Sequence, residues 1–239
     1  MPLILLVLIT PFSGTLDLFI TKMAFYRSWE QSAPLEYGFY TNSFFDFIYL
    51  YGGIPAAMIG AIAGICLAAS FWKEKLKQYR GVCAVLCLTL FLGSLVITHS
   101  LLKECWGRPR PRQVVDFGGS QSFRAFYAPL FAETPEPSKS FPSGHATCGF
   151  YFFCFYFLGR RYKMPKVAAF GLISAFCFGG ALSVARIVQG GHFLSDAYIA
   201  GLIMWLTAYF VDYLVFEAHY FAKLRKRLLC TYENSLSAP

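Results

Sequence analysis

An all-α fold, a polytopic membrane bundle of about six transmembrane helices, is what this sequence predicts, and three observations carry the prediction. Of its 239 residues 56% are hydrophobic and only 14% charged, with a mean hydropathy of +0.49, which is outside the balance of a soluble domain. The apolar residues are gathered into runs long enough to cross a bilayer. Aromatic residues make up 19%, and many lie near the ends of those runs, where amphipathic rings favour the headgroup layer. No internal repeat or low-complexity linker interrupts the pattern, so residues 1–239 read as a single domain.

Met1 to about Tyr26 (LILLVLIT, then LDLFITKMAFY, with Pro11 and Gly14 between) reads as an anchor span, because it lacks the basic start and small-residue cleavage site of a signal peptide. Asp17 is an unusual charge inside it. Arg27 to Ser43 is a polar link with Glu30, Pro34 and Glu36. Phe44 to Trp72 is a second span whose GGIPAAMIGAIAG run lets a neighbouring helix approach closely. KEKLKQYR then leads to a third span, Gly81 to Leu102.

A loop of about thirty residues follows, long enough to be functional. The fourth span, Ala146 to about Gly159, is short unless it takes in part of the preceding turn or ends on snorkelling arginines. A second basic cluster (Arg160, Arg161, Lys163, Lys166), spans at Val167–Val188 and Phe193 to about Val215, and a third cluster (Lys223, Arg225, Lys226, Arg227) complete the chain.

About six spans place the basic clusters on one face and three polar stretches on the other: Lys103–Pro111, Phe141–His145 and Arg186–Asp196. The positive-inside rule makes the cluster face cytoplasmic, with both termini there and the polar stretches on the opposite, extracytoplasmic face. Lys103, Arg108, Arg110, Arg112 and Arg124 lie on the opposite face, so the orientation rests on compact clusters in short loops. The net charge of +8 flanks membrane spans, which points to the bilayer as partner and away from nucleic acid.

Of eight cysteines, Cys66, Cys83, Cys87, Cys154 and Cys177 sit in apolar runs, with no CxxC pair or metal-ligand spacing. Cys105 and Cys148 lie near the polar stretches, and a disulfide between them is left open.

Cleaving a phosphate ester without a metal takes cationic donors for the anion, a nucleophile for phosphorus and a proton for the leaving oxygen. Lys103, Arg108 and Arg110 supply cations, with Pro109 and Pro111 stopping the helix. Pro142-Ser143-Gly144 is a turn before a helix start, a natural anion cradle, and His145 follows where it can protonate a leaving oxygen. His192 and Asp196 are four apart, sharing a face if helical, so the carboxylate can hold one ring nitrogen and free the other to attack. Arg186 adds a donor. His99, four before Lys103, either lines the site or packs structurally; Arg108 is either a second phosphate contact or a headgroup anchor.

These stretches resemble the signature of the type 2 phosphatidic acid phosphatase family, K-x6-R-P, P-S-G-H and S-R-x5-H-x3-D. Here they read Lys103-x6-Arg110-Pro111, Pro142-Ser143-Gly144-His145 and Arg186-x5-His192-x3-Asp196, with Ala185 where the family usually has Ser. The resemblance implies a membrane lipid phosphatase with His192 as the nucleophile that becomes a phosphohistidine, Asp196 orienting it and His145 as general acid. Lys103, Arg110, Ser143, Gly144 and Arg186 would hold the phosphate, with no metal or other cofactor and no obligatory protein partner.

The RPRP run followed by a Phe-Gly-Gly loop is similar to bacterial lipid A phosphatases within that family, so lipid A is the expected substrate. Undecaprenyl diphosphate, phosphatidylglycerol phosphate, a phosphotransferase reaction and a transporter or scaffold with a degenerate pocket stand as alternatives. The loop holds Phe117, Phe123, Phe126, Tyr127 and Phe131. It is expected either at the headgroup layer as a substrate entrance, with Arg112 or Arg124 meeting a second anionic group, or packed on the bundle mouth.

Overall fold

Inside a bilayer each backbone N–H and C=O has to find its partner within the segment, so the apolar runs become helices. The computed structural model describes residues 2–31, 38–40, 42–131 and 138–217. The third basic cluster, Pro34, Glu36, Pro135 and Pro137 lie outside the described residues. Among those described there is no strand beyond two isolated bridges, Arg108 with Lys139 and Val114 with Gln121.

The order is α1 (Pro2–Ile9), a 3-10 turn at Thr10–Phe12, α2 (Ser13–Gln31), α3 (Ser43–Tyr51), α4 (Ile54–Ala69) and α5 (Arg80–Thr89). A π-helical stretch, Leu90–Leu102, continues α5 into the short α6 (Lys103–Cys105). Then come α7 (Gly144–Phe150), α8 (Phe153–Arg161), α9 (Pro165–Val188) and α10 (Leu194–Phe216).

Among the described residues, five segments are long and apolar enough to cross a membrane: Leu6–Phe25, Ser43–Ala69, Glu74–Cys105, Pro165–Val188 and Leu194–Phe216. The expected fourth span, Ala146 to about Gly159, is not among them: it is a pair of short helices, α7 and α8, broken at Tyr151 and Phe152. Glycines explain how that pair is held. A side chain at Gly149 would strike the backbone of Gly179, and one at Gly171 the backbone of Phe155 and Tyr156, so α7 and α8 lie almost backbone to backbone on α9. The small-residue run of α4 behaves as expected, with Gly60 against Leu90 and Gly64 against Cys87. Tyr151, Cys154 and Leu158 are buried against Met204, Ala208 and Val211 of α10, while Ile65, Ile173, Phe176 and Phe210 face outward.

The bundle has two chemically distinct ends. At one, Arg80 Nε donates to Ser70 Oγ (2.9 Å), and Arg161 forks onto Asp212 (2.9 and 2.8 Å) and Glu217 (3.0 Å). The loops carrying the first two basic clusters are here. At the other end lie the three polar stretches, roofed by the long loop.

That loop packs on the bundle mouth. Val114 and Phe117 are buried with Phe39 and Phe193, flanked by Leu18, Phe25 and Phe123. Trp106 Nε1 donates to the Phe126 carbonyl (2.7 Å), and both rings stack on Phe141, with centroids 4.6 and 6.0 Å away. Of the loop aromatics only Tyr127 and Phe131 project, 53% and 76% exposed. Most of the rings expected at the headgroup layer therefore form a second core.

Cys105 and Cys148 are free thiols. Cys105 is exposed at the end of α6, whereas Cys148 lies within α7, 3.7 Å from where a Gly53 side chain would be.

Candidate active site

The third stretch does not place His192 on a helix. α10 begins at Leu194, and His192 sits in the preceding turn, whose Gly190 has φ 63°, a left-handed conformation that glycine adopts without cost. His192 Nδ1 faces Asp196 Oδ2 at 3.6 Å, just beyond hydrogen-bond reach, and is buried without another partner. Such contacts commonly tighten only when substrate is bound.

Asp196 is fully buried. Its Oδ1 accepts from Arg108 Nη1; its Oδ2 accepts from Ser140 Oγ (2.6 Å) and the Phe193 N–H (2.9 Å). Burial pushes the His192 imidazole down to about 4, against the opposing pull of Asp196, so it is neutral, with a lone pair to offer, at ordinary pH.

The second stretch is tied to the third. Ser143 N–H donates to the Asp196 carbonyl (3.2 Å), and Ser143 Oγ caps α7 by accepting from Ala146 N–H at 3.4 Å. At Gly144 any side chain would meet His99 Nε2, which puts His99 against the Pro-Ser-Gly turn. His145 stacks on Tyr49, with centroids 4.5 Å apart, and is within electrostatic reach of Arg186, His192, Lys103 and His99.

Lys103, Arg110 and Arg186 are likewise close enough to influence one another. Arg110 N–H donates to Gln113 Oε1 (2.8 Å), while its Nε is buried with no partner; burial and neighbouring Arg112 lower its proton affinity. Arg186, buried one residue after the buried Ala185, donates through Nη1 to Gln189 Oε1 (2.8 Å) and lies 4.5 Å from the Tyr49 ring centroid. Its Nε also has no partner, and Gly191 leaves the room its guanidinium occupies.

Arg108 departs from both expectations made for it. Only 1% exposed, it donates to the Arg124 carbonyl (2.9 Å), Ser195 Oγ (2.8 Å), Asp196 and Asp17 Oδ2 (2.8 Å), beneath the Phe193 ring at 4.4 Å. With two carboxylates already on it, it is neither a phosphate contact nor a headgroup anchor. Arg112 is exposed and Arg124 half-buried in the loop.

Tyr49, Asp17, Ser140 and Ser195 were not anticipated. Tyr49 gave no signal among so many aromatics, whereas Asp17 stood out as the one acidic residue in the first apolar run. Three cations facing a neutral, buried histidine suit a tetrahedral anion. Among the described residues no three His, Cys, Asp or Glu side chains converge on a metal-sized space.

Residues 82–220 match the family model described as PAP2 superfamily. The chain is 32% identical over 180 residues to the lipid A 4'-phosphatase of Francisella tularensis subsp. novicida (strain U112), covering 74% of this chain and 78% of that protein. It is also 32% identical to the lipid A 4'-phosphatase of Rhizobium leguminosarum over 136 residues, 56% of this chain and 51% of that protein. With that of Rhizobium etli (strain ATCC 51251 / DSM 11541 / JCM 21823 / NBRC 15573 / CFN 42), 32% identity extends over 123 residues, 50% of this chain and 42% of that protein. The matches thus span about half or less of the rhizobial proteins' length. No solved structure matches significantly. With its family match over more than half of its length, this chain belongs to the PAP2 superfamily and is a membrane-embedded phosphoric ester hydrolase.

Proposed function

We propose that this protein removes a phosphate from lipid A, the 4'-phosphate by the name its relatives carry, through a phosphohistidine on His192. The observation that carries the reading is the pair of buried, unpartnered guanidinium nitrogens, Arg110 Nε and Arg186 Nε, beside the neutral His192. Buried donors without acceptors are costly, and a bound phosphate would satisfy them. In the first step His192 Nε2 forms a bond to phosphorus as the P–O bond to the sugar breaks, and His145, entering as the imidazolium beside the bound phosphate dianion, gives the leaving oxygen its proton and becomes neutral. In the second, His145 takes a proton from water, whose oxygen displaces the imidazole, releasing inorganic phosphate and free His192. Lys103, Arg110 and Arg186, with the Ser143 and Gly144 turn, bind the phosphoryl oxygens in both steps.

The basic loops at the far end support an inner-membrane topology with that end cytoplasmic and the site periplasmic. Arg112, exposed in the roofing loop, and Arg124, half-buried in it, would meet the second phosphate of lipid A. The test is phosphate release by the detergent-purified protein from lipid A, phosphatidate, phosphatidylglycerol phosphate and undecaprenyl diphosphate, with and without EDTA. Fastest release from lipid A, at the 4' position and unaffected by EDTA, is expected. Preference for another lipid would overturn the substrate assignment, and abolition by EDTA the metal-independent mechanism.

A further inference from the structure

The first turn of α10 carries Asp196, but its N-cap residue, Phe193, has no side-chain oxygen with which to satisfy the free N–H groups of that turn. One is met from within, Phe193 N–H to Asp196 Oδ2 (2.9 Å). Another is met from a helix far away in sequence, Ser195 N–H to Asp17 Oδ1 on α2 (2.8 Å). The other Asp17 oxygen accepts from Ser195 Oγ (2.6 Å) and Arg108 Nη2 (2.8 Å), while Arg108 Nη1 reaches Ser195 Oγ (2.8 Å) and Asp196 Oδ1. Asp17, Arg108, Ser195 and Asp196 are all at least nine-tenths buried.

We infer that Asp17 is a positioning residue for the reaction: acting through Arg108 and Ser195, it fixes the Asp196 carboxylate at the distance from which it holds the His192 imidazole. The inference rests on the reading of His192 as nucleophile. α2 lies outside the residues matched by the family model, 82–220, so the chain completes the buried network from a segment that the family signature does not contain.

The charges explain why two carboxylates are needed. Arg108 alone would draw Asp196 toward itself and away from His192. Asp17 shares the guanidinium, leaves the cluster with one net negative charge and keeps Asp196 Oδ2 facing the imidazole. Removing one member of a buried ionic cluster strands the others in low dielectric, whereas removing paired partners together costs much less. Asp17 is buried with both oxygens taken up by Ser195 and Arg108, so its loss should act on turnover and not on binding.

The experiment compares kcat and KM for lipid A among folded, monodisperse variants, with His192→Ala as reference. Asp17→Asn is expected to lower kcat about 10- to 100-fold, as loss of an outer partner of a functional histidine does, with KM within about twofold of wild type. The double variant Asp17→Asn/Arg108→Gln is expected to be no slower than Arg108→Gln alone. Thr21→Val, one turn along α2 at a buried hydroxyl without a partner, keeps wild-type kcat. If Asp17→Asn does not fold, Ser195→Ala takes its place, removing the hydroxyl shared by Asp17 and Arg108, with a kcat loss of several-fold expected. Wild-type kcat in a folded Asp17→Asn or Ser195→Ala protein, a loss confined to KM, or fully additive losses in the double variant would overturn the inference. An active His192→Ala protein would instead overturn the nucleophile on which it rests.

Discussion

At the scale of single residues, the proposed chemistry depends on a histidine, His192, kept neutral by burial. Because the pull of Asp196 opposes that burial, the sign of two effects follows. Protonation removes the attacking lone pair, so kcat/KM, which reports the free enzyme, should fall as pH drops through the His192 value. That acid limb should lie near about 4, below the ordinary histidine value. Asp196→Asn removes the charge that favours the imidazolium, so it should move the acid limb lower still while cutting kcat on the order of a thousandfold. An acid limb at or above the ordinary histidine value in the wild-type pH profile would contradict this. Arg186→Lys should raise KM for the phosphorylated lipid about tenfold or more, since a point charge cannot reproduce the planar fork; steady-state kinetics read it directly.

The candidate site was legible at this scale because polar residues in an oily chain stand out and their spacing matches a known signature. The signature spacing singled out Arg110 and left Arg108 open between a phosphate contact and a headgroup anchor. Their difference lies in the carboxylates that fold against Arg108, one 91 positions before it and one 88 after, and that is a tertiary fact.

At the scale of elements, the π-helical stretch, the split pair α7 and α8 and the turn before α10 are what sequence reading missed. Hydropathy reports that a segment is apolar, not how its backbone hydrogen bonds are registered or where it breaks. The short fourth run was the visible trace of the split. The glycine contact between α7 and α9 matters because α7 carries His145 and α9 carries Arg186. Gly149→Val, which drives a side chain into the Gly179 backbone, should destabilise the protein by about 1–3 kcal/mol and lower kcat by prising the two residues apart. Gly180→Ala, with nothing within 4 Å of the added carbon, should change neither. Thermal unfolding and turnover of the two variants side by side decide the matter.

At the scale of the whole molecule, the all-helical membrane architecture and the gathering of three distant stretches at one end were readable from composition and run lengths, since a bilayer admits few alternatives. The roof was not. Aromatic content alone cannot distinguish rings resting in headgroups from rings packed on one another, and here Phe117 and Phe126 do the latter. Replacing the loop arginines together, Arg112→Ala/Arg124→Ala, should raise KM for doubly phosphorylated lipid A more than it lowers kcat, and leave a singly phosphorylated lipid unaffected. Equal kinetics on both lipids would remove the loop from substrate recognition.

The account turns on His192, and the most direct test is rapid-quench trapping with radiophosphate-labelled lipid A. It predicts a transient phosphoenzyme, stable in alkali and lost in acid, mapping to the peptide that contains His192 and absent from His192→Ala. Release of phosphate with no labelled protein at any time, or label on another residue, would contradict it.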